Sequence, residues 1–149
     1  MLAADRLSKI WAQGSLYRGV TEYDFGPVSL TLVHNRGAAF GMAQGGTAVF
    51  VVLAVVIVLA ILAWLVFGKE HAPAEVVGLS LVAAGGLGNL VDRLTTVYVV
   101  DFIQFDFIDF PVFNVADICV TCGVVLFICS LLVGMLRPGE GVDTGGEAR

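Results

Sequence analysis

Three acids, two amides and an arginine stand at or near the ends of two apolar runs in an otherwise oily chain. Asn89, Asp92 and Arg93 close the segment Gly85–Arg93, Asp101 follows within Val99–Phe102, and Asn114 and Asp117 open the last run. Charged groups at membrane depth cost at least a few kcal/mol each, so they generally face a bundle interior or a water-filled cavity and act there. Asp101 is flanked by Val99-Val100 and Phe102-Ile103, surroundings that raise a carboxyl's pKa, and a second carboxylate nearby raises it further. Asp101 and Asp117 are therefore expected to form a dyad sharing one proton. The anionic member would activate water, and the protonated member, assigned to Asp101, would stabilise the tetrahedral intermediate and protonate the leaving amine. Asp92 with Asp117 is the alternative dyad.

The neighbours of these acids also have plainer readings. Asn89, Asp92 and Arg93 fall at i, i+3, i+4 on one helical face. Asp92 with Arg93 reads as an ion pair at a helix end, which makes Asp92 an anchor rather than a proton donor, with Arg93 free to reach a carbonyl-rich or anionic substrate. Asn114 reads as an N-cap that puts Asp117 in the first turn of the last helix.

The elements that must hold these groups belong to a membrane protein. Of 149 residues, 58% are hydrophobic and only 14% charged, with mean hydropathy +0.90, whereas a soluble domain carries about 25% charged residues. The net charge is −5 and its eight basic residues are scattered, which argues against a nucleic-acid partner. Residues 1–136 read as a single domain with helices at about 1–15, 47–67, 75–93 and 114–136, four passes in all, the first shortened. Thr47–Phe67 is the clearest of them, about 30 Å of unbroken apolar helix. Residues 17–41 read as a small interfacial sheet, from the alternation of Val28–Leu32 and from Tyr17, Tyr23 and Phe25. Such a sheet could accept an extended peptide as an added strand. Residues 94–113 read as a loop or short interfacial helix, and 137–149 as a disordered tail. Only four residues precede Asp5, so either the first helix is cut short or its start lies upstream of Met1. Gly78, Gly85, Gly86 and Gly88 read as contacts between closely packed helices. Cys119, Cys122 and Cys129 read as small buried hydrophobes, and His34 and His71 lie too far apart in sequence for a metal site.

Taken together, Asp5–Lys9, Asn35–Phe40, Gly85–Arg93, Val99–Phe102 and Phe113–Asp117 make the chain similar to the lipoprotein signal peptidases (signal peptidase II), over Asp5 to about Leu136. The resemblance implies four transmembrane helices with an extracytoplasmic β-cradle and a short interfacial helix, both termini being cytoplasmic. It implies a monomer in the bacterial inner membrane that cleaves diacylglyceryl-prolipoproteins on the amino side of the lipidated Cys, without metal or cofactor. Asp101 and Asp117 would be catalytic, and Asn35, Asn89, Asp92, Arg93 and Asn114 would bind substrate or support the dyad. The cyclic peptide globomycin would block it. The family's first helix carries a longer apolar run before its Asp-x-x-Ser/Thr-Lys motif. The rival reading is a small transporter subunit relaying protons or cations through Asp92, Asp101 and Asp117, which predicts carboxylates spread across membrane depth.

Overall fold

The computed structural model describes residues 1–37, 47–68 and 70–136. The tail expected to be disordered (137–149), Ala38–Phe40 of one motif, and Lys69 lie outside the described residues. The order of elements is α1 (Leu2–Ser15), β1 (Thr21–Asp24), β2 (Val28–Asn35), α2 (Thr47–Phe67), α3 (Pro73–Thr96), β3 (Val99–Phe105) and α4 (Val115–Leu136).

Among the described residues α2, α3 and α4 are long and apolar enough to cross a membrane. At 14 residues, α1 covers only about 21 Å. Helix α3 begins with Pro73 at a position where no backbone donor is needed, and the Glu75 carboxylate accepts the Ala72 N–H at 3.2 Å. Helices α3 and α4 pack so closely that a Cβ built on Gly78 would lie 2.8 Å from the Gly123 carbonyl oxygen. In lipid, where apolar burial gives helices no reason to associate, such backbone proximity supplies the contact.

The sheet is antiparallel, in the order β1-β2-β3. Residues 94–113 therefore correct the expectation of a loop or interfacial helix: α3 continues to Thr96, and Val99–Phe105 is the third strand. Alternation along β3 sends Val100 and Phe102 into a small core with Ala12 of α1, Leu16 just beyond it and Leu32 of β2. Val99 and Asp101 face the other way, into a cavity. A bulge falls in β2 between Leu30, paired with Ile103, and Val33, paired with Asp101. One extra residue in β2 switches its faces, so that Asn35 lies on the side of Asp101.

The outer edge of β3 is engaged within the chain. The Val100 N–H is 3.4 Å from Asp92 Oδ2, and the Phe102 and Ile103 N–H groups donate to the Phe113 carbonyl at 3.0 and 2.9 Å. An added strand beside the acids would have to displace these bonds.

The turn from α3 into β3 places Val97 in the left-handed region, at φ 65° and ψ 6°. That conformation costs a β-branched residue about 1–2 kcal/mol, and Val97 is 61% exposed, so its side chain adds little packing in return. Val97→Asn or Val97→Gly is expected to raise stability by roughly 1 kcal/mol, read as a higher melting temperature in detergent with cleavage activity retained.

Candidate active site

The site forms where the C-terminal end of α3, the N-terminal end of α4 and the sheet meet, with Asp5, Arg6 and Lys9 of α1 packed behind them. Helix α4 begins in a reciprocal cap: the Asp117 N–H donates to Asn114 Oδ1 at 3.0 Å, and the Asn114 N–H donates to Asp117 Oδ2 at 3.1 Å. Asn114 is thus the N-cap its position suggested, and the cap fixes the Asp117 carboxyl against the helix end. Asp5 of α1 accepts the Ala116 N–H at 3.0 Å and so satisfies a second donor of the same helix end.

Two amides link Asp117 to Asp101. Asn89 Nδ2 donates to Asp117 Oδ1 at 2.8 Å. Asn114 Nδ2 donates to Asp101 Oδ1 at 2.6 Å and to Asn89 Oδ1 at 3.1 Å. Asn35 Nδ2 donates to the other oxygen of Asp101 at 2.9 Å. The two carboxyls are therefore joined through Asn114, whose side-chain amide donates to Asp101 and whose backbone N–H donates to Asp117.

Both acids open on one cavity of about 410 Å³. Its polar end carries Asn35, Asn89, Arg93, Asp101 and Asp117, and its apolar end Phe105, Phe110, Pro111 and Phe113. The rings of Phe105 and Phe113 pack at 4.9 Å and those of Phe110 and Phe113 at 5.8 Å, closing that end. Arg93 lies on the cavity wall, its guanidinium 5.3 Å from the Phe50 ring centre. Such a space suits a ligand with a polar bond at one end and an apolar group at the other. Cys122 lines the cavity and, like Cys129, is exposed rather than buried, while Cys119 is buried as expected. Among the described residues no group of His, Cys, Asp and Glu is arranged to hold a metal.

Asp92 is not paired with Arg93. Its Oδ1 takes an ion pair from Arg6, and its Oδ2 lies 2.9 Å from Lys9 Nζ. Lys9 in turn lies 3.0 Å from Asp5 and donates to Asn89 Oδ1 at 2.8 Å. Helix α1 thus contributes a buried charge cluster to which sequence reasoning gave no role. The available signal was the i, i+4 spacing of Asp5 and Lys9 inside a segment that reads as a membrane helix. Gly88 makes room for it, since a Cβ there would lie 2.5 Å from Asp5 Oδ2.

Burial raises the Asp101 pKa from 3.8 to about 7; the Asn35 hydrogen bond opposes the rise, and the nearby Asp117 carboxylate adds to it. A carboxyl raised in this way stabilises the fold while protonated. That contribution is complete below about pH 4 and is lost as pH rises through about 7. The melting temperature is accordingly expected to fall between about pH 4 and 7, and the fall should flatten in Asp101→Asn.

The family comparisons agree with this architecture. Residues 1–133 match the family model described as signal peptidase (SPase) II. The chain is 46% identical over 114 residues to the lipoprotein signal peptidase of Lactiplantibacillus plantarum, covering 75% of this chain and 72% of that one. Against the lipoprotein signal peptidase of Streptococcus pyogenes it is 39% identical over 132 residues, covering 88% and 87%. Among solved structures, a bacterial membrane enzyme determined by the in meso method at 2.3 Å superposes with TM-score 0.86 at 31% identity, over 94% of this chain and 87% of that one. A second, at 1.9 Å, gives TM-score 0.80 at 32% identity, over 88% and 86%. On this evidence the chain belongs to the signal peptidase II family, the lipoprotein signal peptidases.

Proposed function

We propose that this protein removes signal peptides from prolipoproteins as an aspartic endopeptidase, with Asp101 and Asp117 as its acid–base pair. The observation that carries the reading is that two carboxyls of separate elements open on one cavity and are bridged by Asn114, whose side-chain amide donates to Asp101 and whose backbone N–H donates to Asp117. Asp117 acts as the base: it takes a proton from water as the water oxygen adds to the scissile carbonyl carbon. Asp101, protonated, donates a hydrogen bond to the developing oxyanion and then its proton to the leaving amine as the C–N bond breaks. Asn35, Asn89 and Asn114 hold the carboxyls in place, and Arg93 on the cavity wall binds a substrate carbonyl. The apolar end of the cavity receives the lipid-bearing side of the scissile bond, which lies on the amino side of the modified Cys. On this reading the enzyme works as a monomer in the bacterial inner membrane, with its cavity toward the extracytoplasmic face, and needs neither metal nor cofactor.

The transporter alternative gains no support, because the acids gather at one end of the helices and the family is a peptidase family. The test is incubation of the purified enzyme with a diacylglyceryl-modified precursor and with the same precursor unmodified. Release of the signal peptide from the modified precursor, blocked by globomycin and unaffected by chelator, is expected. Equal cleavage of both precursors would contradict the lipid requirement, and loss of cleavage on chelation would contradict the aspartic mechanism.

A further inference from the structure

Lys9 is buried, 1% exposed, on a helix that contributes no residue to the cavity wall, yet its ammonium lies within 3.0 Å of three oxygens. Two of these belong to carboxylates, Asp5 Oδ2 at 3.0 Å and Asp92 Oδ2 at 2.9 Å, and the third is the amide oxygen of Asn89 at 2.8 Å. Charge neutralisation explains the first two contacts. It does not explain the third, which is the shortest.

The chemistry of the third contact gives it a consequence. An ammonium has three donors and no acceptor, whereas a carboxamide has one end of each kind. The end of Asn89 that faces Lys9 must therefore be its oxygen, and the end that faces Asp117 must be its NH₂. Asn114 needs no such help, because its Oδ1 is fixed by the Asp117 backbone N–H of the helix cap. Asn89 sits in mid-helix, and only side chains orient it: Lys9 at 2.8 Å and Asn114 Nδ2 at 3.1 Å. With the Asn89 NH₂ on Oδ1 and the Asn114 N–H on Oδ2, both oxygens of Asp117 accept hydrogen bonds, as both oxygens of Asp101 do from Asn114 and Asn35; of these donors only the Asn89 NH₂ is oriented by a charged side chain.

Resting on the aspartic-peptidase reading above, we propose that Lys9 is a positioning residue: by holding the Asn89 amide oxygen it turns the Asn89 NH₂ onto Asp117 and so keeps Asp117 in the acceptor form that takes the proton from water. The charged groups around the pair are Asp5, Arg6 and Lys9 of α1, Asp92 and Arg93 of α3, Asp101 of β3 and Asp117 itself. Asp92 keeps Arg6 when Lys9 is removed. A charge-balanced variant is therefore Lys9→Met with Asp5→Asn, whose amide oxygen can still accept the Ala116 N–H.

The measurement is kcat/KM against pH for cleavage of a diacylglyceryl-modified precursor, with thermal melts of each protein. Relative to Asp5→Asn alone, the double variant is expected to lose roughly 10–100-fold in kcat with KM little changed, and its acidic limb should move up by about one pH unit. Lys9→Gln with Asp5→Asn, which removes the charge and keeps an N–H donor for Asn89 Oδ1, should shift the limb less than the Lys9→Met double variant does. A folded Lys9→Met double variant with the limb unmoved would overturn the proposal, and so would an equal shift in both, which loss of charge alone explains. So would failure of both Lys9 variants to fold where Asp5→Asn folds, since Lys9 would then be a structural cation alone. Asp101→Asn and Asp117→Asn are assayed alongside. If they cleave at the wild-type rate, the aspartic reading itself fails; if they are inactive and the limb stays put, only the role of Lys9 fails.

Discussion

Asp101→Asn and Asp117→Asn should each lower kcat for precursor cleavage by ~10³-fold or more, the loss associated with removing a general acid or base, while KM changes little. The folded protein should be recovered in both cases. Asn at 101 keeps an oxygen for one of the two amides, Asn35 or Asn114, and removes a carboxyl that is unfavourable as an anion. Asn at 117 keeps an oxygen for the N-cap bond of α4. The pair acts as one unit, so the double variant should be scarcely slower than either single one. Activity within tenfold of wild type in either single variant, with melting behaviour intact, would remove that aspartate from the catalytic pair.

The largest stability effect is expected at Asp92. Its carboxylate is buried, 3% exposed, and ion-paired to both Arg6 and Lys9. Removing one partner of a buried ion cluster leaves the remaining charge uncompensated and costs about 3–5 kcal/mol. Asp92→Ala also loses the contact to the Val100 N–H at the start of β3. A fall in melting temperature well beyond that of either Asp101→Asn or Asp117→Asn is expected, with the surviving folded fraction still cleaving substrate. An Asp92→Ala protein that melts like wild type and is catalytically dead would revive Asp92 as a member of the dyad.

These expectations differ because Asp92 and Asp101 look alike in the sequence and not in space. Each is an acid close to a helix end, and neither spacing nor flanking residues reveal that α1 lies against Asp92. The i, i+1 position of Arg93 suggested a local partner; the actual partners, Arg6 and Lys9, are more than eighty residues away. By contrast α2 was fully legible, since the twenty residues Ala48–Phe67, apolar in a row, permit little else. The N-cap at Asn114 was legible for the same local reason. Strand β3 was not, because its partner β2 lies far back in the chain and its alternation is masked by Phe on both faces. The bulge that carries Asn35 to the side of Asp101 leaves no mark in composition. The convergence of Asp101 with Asp117 was anticipated and Asn114 was expected beside them from the family resemblance, but the bonds by which it reaches both were not legible.

The most direct measurement is the carbonyl stretch of protonated carboxyls in the membrane-reconstituted enzyme, followed by infrared difference spectroscopy from pH 5 to 9. A protonated carboxyl band that fades with a midpoint near pH 7, and is missing from Asp101→Asn, is the predicted result. A spectrum in which Asp101→Asn removes no such band, or in which the residue is already ionised at pH 5, would contradict the assignment of Asp101 as the acid that meets the leaving amine.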